Sequence, residues 1–575
     1  MRLAIPNVEM TRRADGATLL RTAQPLGPYD RAVGDWLVRW SEHAPFRQFL
    51  AERAGLEWRT ITYGDALDSV RRVGESLLAR GLTAATPIAI LSDNSINHAL
   101  LALGAMHAGI PAVPISPAYS LLSSDHTRLK QIVALLQPGL VFAEDAERFA
   151  PALAAIGATA TPFEALLEHR PSARIDAAFA AIDGDTIAKV LFTSGSTGTP
   201  KGVINTHRML CSAQQSWAQL WPFLEDTPPI LCDWLPWNHT AGGNAGFNLA
   251  LRNGGTLFID GGRPTPALID VTVRNISDVE PTLYLSVPRG FDVLLPRLAA
   301  DAPARRSFFS RLDAMYYTGA ALPPSVWQRL TEMAAAEGRS GLYMLAGWGS
   351  TEMTLGTRVH FRIEQARNVG SPGPGVELKL VPVGDRQEAR LRGLNVTPGY
   401  FRAPELTREA FDEEGFLKSG DALRLADENN PSKGLLFDGR VSEDFKLLSG
   451  TWVHVGAIRV ALITACHPLV QDAVITGHDR HEIGALIFLS ESAVRTLGLD
   501  ADTVRQRLRE SLVSMRAAAT GSSTVPARLL VLEEPPSLDH SEITDKGYVN
   551  QRAVLRRRAA DVEALHAGSP GTIVA

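Results

Sequence analysis

Residues 191–203 read LFTSGSTGTPKGV, which sets three glycines (Gly195, Gly198, Gly202) and five hydroxyl side chains (Thr193, Ser194, Ser196, Thr197, Thr199) around one lysine, Lys201. The glycines let the backbone turn with N–H groups pointing inward, the hydroxyls add donors, and the lysine adds a positive point charge. That combination suits a polyphosphate. It is not a Walker loop. Counting from Gly195, Pro200 stands where the second glycine belongs and Gly202 where Ser or Thr belongs. The stretch holds no G-x-G-x-x-G either, which removes the simplest dinucleotide reading.

Around this loop, short apolar runs alternate with helical patterns. Residues 65–81, DALDSVRRVGESLLARG, place Ala66, Val70, Val73 and Leu77 on one helical face and stop at Gly81. Residues 87–115 read as strand, helix opened near Ser95, stop at Gly109 and second strand, which is a β-α-β unit and implies parallel pairing. GLVFAED (139–145), AKVLFTSG (188–195) and GTLFIDGG (255–262) are further strand candidates, so the expected class is α/β with helices layered on sheets. After Asp421 the strands shorten and polar turns appear, with LADENNPSKG (425–434) an evident loop. A boundary is expected near Arg440 to Ser442. It divides a large domain, 1–440, from a small one, 441–575.

The 575 residues exceed what one core fills, and 45% hydrophobic with 21% charged residues fits a globular chain. With 57 Lys+Arg against 62 Asp+Glu the net charge is −5, which offers nucleic acid no electrostatic footprint. Arg556, Arg557 and Arg558 form one short basic run, read as a solvated helix face. The opening MRLAIPNVEMTRRADG lacks the apolar core of a signal peptide, and no apolar run reaches about 18 residues, so a cytoplasmic protein without a membrane partner is expected. Cys211, Cys232 and Cys466 are odd in number and irregular in spacing, and are expected to be small buried apolar residues.

Further motifs follow the loop in order: LPWNHTAGG (235–243), YYTGAALPP (316–324), GWGSTEMT (347–354), KSGDALRL (418–425), FDGRVSEDFKLLSG (437–450) and SEITDKGYVNQRAVL (541–555). Together with the loop they resemble the adenylate-forming superfamily, which contains the acyl-CoA synthetases, peptide-synthetase adenylation domains and luciferases. The resemblance implies a large N-terminal domain of layered, mostly parallel sheets and helices with a small mobile α+β C-terminal domain. Its substrates would be ATP with Mg²⁺, a small carboxylic acid and coenzyme A, in a monomer or homodimer.

Residue by residue, the resemblance assigns Thr193, Ser194, Gly195, Ser196, Thr197, Gly198, Thr199 and Lys201 to the phosphates. Gly319, Ala320, Ala321, Trp348 and Gly349 fall at the adenine, Thr351 at the α-phosphate, Glu352 with Thr193 at the magnesium, and Asp421 with Arg440 at the ribose. His239, Ala241 and Gly243 fall at the acyl pocket, with no Lys or Arg in that stretch to pair a second carboxylate. Ser442 falls at the hinge and Lys546 at the catalytic lysine. Lys446 belongs to the face presented for thiol attack after the small domain rotates. Trp348 for tyrosine, Ser442 for Lys or Asp, Asp545 for glycine and the missing Pro-x-Glu in WVHVGAIRV are departures from the family pattern.

Residues 19–63, EDFKLLSGTWVHVGAIR (443–459) and EITDKGYVNQRAVL (542–555) are similar to the feruloyl-CoA synthases, which activate hydroxycinnamic acids in bacterial breakdown of lignin-derived aromatics. This closer resemblance implies an acid–thiol ligase acting on ferulic acid. Medium-chain or other aryl acids, loading of a carrier protein, and a non-catalytic acyl-nucleotide binder are the alternatives.

Overall fold

A computed structural model describes residues 1–193, 199–320, 322–519, 521–544, 547 and 549–575, without the side chains of Leu355, Ser492 and Thr496. Helix α1 (Tyr63–Ala79) is capped by Thr62, whose hydroxyl accepts from Asp65 N, and it buries Ala66, Val70, Val73 and Leu77, the face read from the sequence. Strand β1 (Ile88–Leu91) leads into α2 (Ile96–His107), where the Ser95 hydroxyl accepts from His98 N at 3.0 Å. A left-handed turn at Gly109 (φ 71°) then delivers β2 (Ala112–Ile115). Each boundary carries its own chemical signal, and the unit closes with Ile88 beside Ala112 in parallel register.

Helix α3 (Thr127–Leu136) and strands β3 (Leu140–Ala143), β4 (Ile187–Thr193) and β5 (Lys201–Thr206) complete the first layer. The sheet runs β3-β1-β2-β4-β5. The first four strands are parallel and almost wholly buried, as sheets covered on both faces are. β5 returns antiparallel with Thr193 opposite Lys201, so the loop sequence joins the ends of two paired strands.

A second sheet, of eleven strands among the described residues, contains β6 (Ala314–Tyr317), β7 (Tyr343–Ser350), β8 (Met353–Arg358), β9 (Leu417–Leu425) and β10 (Leu435–Arg440). Leu283–Ser286, β6 and β7 are parallel; the remaining pairs are antiparallel. The expectation of mostly parallel sheets therefore stops at β7. Beyond it, connections such as Gly384-Asp385, with Gly384 at φ 64° and Val383 opposite Arg386, are too short for anything but a hairpin.

From Phe445 onward a separate apolar cluster includes Val455, Ile458, Leu462, Ile475, Ile487, Leu508 and Leu529. It lies between helices Val455–Ala465 and Ala501–Ala517 and a sheet ordered Val470–Thr476, Gly484–Leu489, Arg528–Val531, Ile573–Val574. The three cysteines are free and buried. Among the described residues no helix is long and apolar enough to cross a membrane.

The basic run is a solvated face only in part: Arg556 and Arg557 are exposed, whereas Arg558 turns inward. Arg557 and Arg558 both bind the Glu542 carboxylate, Arg558 through Nε at 2.8 Å, and Arg558 is buried. A carboxylate that is itself buried needs such partners, and the sequence hides this pairing because Glu542 lies on the preceding loop.

Helices α1 and α2 cross at Gly104, where an added Cβ would lie 2.5 Å from Val73 Cγ1 and 3.1 Å from Val70 O. Gly104→Val should lower the free energy of unfolding by about 1–3 kcal/mol through overpacking, read as a lower denaturant midpoint at unchanged m. An unchanged midpoint would show that the crossing has slack.

Candidate active site

The β4–β5 hairpin is fastened on its outer side by residues 399–401: Ile204 N donates to Gly399 O at 3.1 Å and Phe401 N to Gly202 O at 2.7 Å. This pairing brings Tyr400 over Lys201, whose Nζ lies 5.5 Å from the ring centroid. The Tyr400 hydroxyl donates to Glu352 Oε1 at 3.1 Å, and Ser350 Oγ donates to Oε2 at 2.8 Å. Burial and the adjacent Glu352 carboxylate raise the Tyr400 hydroxyl above the usual phenol range, so it stays a donor. Lys201, Tyr400 and Glu352 thus form one chain from the foot of the loop to the end of β7. Thr199 and Lys201 are described; Ser194, Gly195, Ser196, Thr197 and Gly198 lie outside the described residues.

Sequence reasoning missed Tyr400. Its only local signal is the Pro398-Gly399 turn before it, which says loop and nothing about Glu352.

Trp348, at the end of β7, donates from Nε1 to Asp421 Oδ2 at 2.7 Å, and Arg440 Nε lies 3.3 Å from Asp421 Oδ1. Asp421 and Arg440 face each other across β9 and β10. Burial raises the Asp421 carboxyl above the usual range, against the pull of Arg440 and the Trp348 hydrogen bond. Thr318 Oγ1 donates to Gly347 O at 3.1 Å, which sets Gly319 (φ 85°) and the exposed Ala320 beside this corner. Thr351 is buried, Gly349 is exposed, and Ala321 lies outside the described residues.

Glu352 is half-buried and engaged by two neutral hydroxyls, which leaves its charge uncompensated among the described residues. One carboxylate plus phosphate oxygens is a donor set that magnesium accepts. Among the described residues no group of three His, Cys, Asp or Glu is placed to hold a metal alone.

Residues 235–243 fold over the end of the first sheet. His239 is buried beside Asn238, and its carbonyl accepts from Gly243 N at 2.8 Å, opening a wide helical turn over Thr240–Gly246. Ala241 is half-buried on this turn. Gly243 is required by the fold itself, because a Cβ there would lie 2.4 Å from Trp237 O. Below the turn the structure supplies the cation that this stretch of sequence lacks. Lys189 of β4 donates to Gly243 O at 3.0 Å and to Asn244 Oδ1 at 3.3 Å. In the sequence it is one more residue of the 188–195 strand candidate, since only the tertiary register brings it here. Asp233, upstream of the turn, is buried and raised to about 8 by burial, so it is neutral at pH 7 and no partner for an ammonium.

The C-terminal loop docks on the first layer. Ser123 Oγ donates to Asp539 Oδ1 at 2.7 Å, while Ser124 N and Oγ donate to Oδ2 at 3.1 and 2.7 Å. Leu538 packs into the cluster that holds Val190 and Phe192 of β4 together with Phe401. Glu542, clamped by Arg557 and Arg558, fixes the base, and Ile543 pairs with Val549. Lys546, together with Asp545, lies outside the described residues.

At the other end of this lobe, Val441 N still donates to Gly420 O at 2.9 Å, whereas Ser442 O accepts from Arg552 Nη2. Lys446 is exposed with its ammonium 4.9 Å from the Trp452 ring centroid, engaged there rather than with Asp421 or Glu352.

Residues 38–401 match the family model described as AMP-binding enzyme, and residues 447–569 match that of the AMP-binding enzyme C-terminal domain. The chain belongs to the AMP-binding enzymes, the adenylate-forming superfamily. Among curated relatives is a CoA ligase of Rhodococcus jostii named for a methyl-dioxo-octahydro-indenyl propanoyl group. It is 27% identical over 396 residues, covering 64% of this chain and 72% of that protein. The whole carboxylic acid reductase of Segniliparus rugosus is 26% identical over 417 residues, of which the match spans 33% of its length. The solved adenylation domain of a carboxylic acid reductase from that organism, in complex with AMP and a co-purified carboxylic acid, superposes with TM-score 0.74 at 19% identity, covering 94% of each chain. ATP-bound MatB from Rhodopseudomonas palustris gives TM-score 0.69 at 22% identity, covering 92% of this chain and 99% of that one. These two likenesses are ones of fold.

Burial would raise the Asp539 carboxyl, but the hydrogen bonds from Ser123 and Ser124 outweigh it and hold the group below the usual range. Docking by this carboxylate is therefore complete above the free aspartate value of about 3.9 and is lost as pH falls through the docked value. Asp539→Ala should speed amide hydrogen exchange at Ser124 and in residues 537–542 by about tenfold at neutral pH, leaving α2 unaffected. Exchange identical to wild type would mean the loop is held by Leu538 alone.

Proposed function

We propose that this enzyme activates an aromatic acid of the hydroxycinnamic class, ferulic acid foremost, as acyl-AMP and then transfers the acyl group to coenzyme A. The observation that carries the two-step reading is the docking of residues 538–543 beside the strands that flank the glycine-rich loop. The ferulic assignment rests on the sequence resemblance over residues 19–63, 443–459 and 542–555.

The chemistry explains the residue types. A carboxylate oxygen attacks the α-phosphorus of ATP, the bond to pyrophosphate breaks, and acyl-AMP forms. The difficulty is electrostatic, because both reactants are anions, and preorganised cations lower that barrier. No general base is required, since the acid is ionised at pH 7. In this reading Lys546 lies between carboxylate and α-phosphate, and the Ser/Thr/Gly loop with Lys201 holds the leaving pyrophosphate. Trp348 stacks on adenine beside Gly319 and Ala320, Asp421 and Arg440 bind the ribose, and Thr351 meets the α-phosphate. Magnesium held by Glu352 and Thr193 would supply positive charge to phosphate oxygens. His239 and Ala241 border the acid.

In the second step the thiol of coenzyme A attacks the acyl carbonyl, AMP leaves, and the proton is lost from sulfur. That reaction needs the lysine withdrawn. A 1–440 body and a 441–575 lobe with the swivel at Ser442 fit the change of bonding partner between Val441 and Ser442.

A coupled AMP-release assay with ATP, Mg²⁺ and CoA over ferulate, coumarate, caffeate, benzoates and medium-chain fatty acids tests the acid class. Hydroxycinnamates should give the highest kcat/KM, and a higher value for fatty acids would overturn the assignment. Lys546→Ala should reduce acyl-AMP formation at least about 100-fold while leaving thioester formation from supplied acyl-AMP within a few-fold. Equal losses in the two half-reactions would remove Lys546 from its role.

A further inference from the structure

Lys189 is a buried cation, and among the described residues no carboxylate pairs with it. An ammonium has three N–H donors, and two are taken, by Gly243 O at 3.0 Å and Asn244 Oδ1 at 3.3 Å. Burying a charge without a counter-ion is unfavourable, and burial drives this amine down to about 7. The site therefore gains from one more acceptor.

The amides around it cannot turn to provide one. Asn244 Nδ2 donates to Asn205 Oδ1 at 2.7 Å and to Thr240 Oγ1 at 3.2 Å, and Gln214 Nε2 donates to Asn244 O at 2.9 Å. This network fixes the Asn244 oxygen toward Lys189 and holds the ammonium directly under the turn that follows His239.

Resting on the reading that residues 239–243 border the acid, we propose that Lys189 determines specificity by donating its third N–H to an oxygen substituent on the ring of the acid. The substrate class is then narrower than aryl acids at large. It is the ring-oxygenated acids, in which a phenol or aryl ether oxygen supplies the missing acceptor while the carboxylate faces the nucleotide. Acids identical except for that oxygen leave the buried amine unpaired and are discriminated against.

The test compares 4-hydroxycinnamate with cinnamate, which lacks the one oxygen, in the pyrophosphate-release assay with the full chain. Wild type should favour 4-hydroxycinnamate by at least about tenfold in kcat/KM. Lys189→Met, similar in length and apolar, also frees the 240–246 turn and can weaken both acids, but the kcat/KM ratio of 4-hydroxycinnamate to cinnamate should fall to about one through a larger rise in KM for 4-hydroxycinnamate. Parallel loss for both acids overturns the proposal and makes Lys189 a tether for the 240–246 turn. A wild type without preference overturns it as well, whether or not the variant folds. Should wild type accept neither cinnamate but adenylate another acid, the acid-class reading fails; the same comparison on that acid and its deoxy analogue then judges Lys189 separately.

Discussion

The Asp539 carboxylate, gripped by the hydroxyls of Ser123 and Ser124 and the Ser124 amide, ties the loop after Arg528–Val531 in the small lobe to the segment that opens α3 in the large one. The proposed two-step reading depends on that contact. The lobes have separate apolar clusters, and chain continuity between them is a single crossing near Ser442. A bond made of polar groups alone is strong enough to place a loop and weak enough to release it. Leu538 adds a small apolar anchor beside Phe192 and Phe401, so the loop and the glycine-rich hairpin share one wall.

The two sides of the site are held in different ways. On the proposed reading, the nucleotide side is built on strands, with Trp348, Asp421 and Arg440 joined across β7, β9 and β10. The acid side would be the wide turn whose backbone is steadied by Lys189 and the Asn244 network. In that reading the strand-borne groups meet the nucleotide, while the turn and the amine beneath it are where acids are told apart.

Local signals in the sequence were strong where a single residue type decides a conformation. Ser95 and Gly109 mark the ends of α2, and the apolar spacing of α1 identifies its buried face. What the sequence concealed was contact at a distance. Asp539 meets Ser124 across 415 positions, Lys189 meets Gly243 across 54, and Tyr400 meets Glu352 across 48. The burial of Arg558 was hidden because a run of like charge carries no trace of the buried Glu542 that neutralises it. The antiparallel part of the large sheet was hidden for a related reason: strand periodicity reports burial, and only turn length reports direction.

On the proposed reading, acyl-AMP formation and thioester formation need the small lobe in two different places. Fixing one of them separates the two steps, with Ser124→Cys and Asp539→Cys joined by a short bis-maleimide in a chain whose three native cysteines are buried. The bridged enzyme should form acyl-AMP in a single turnover at close to the unbridged rate and fail to pass the acyl group to coenzyme A. Thioester formation at the same rate with and without the bridge would contradict that reading.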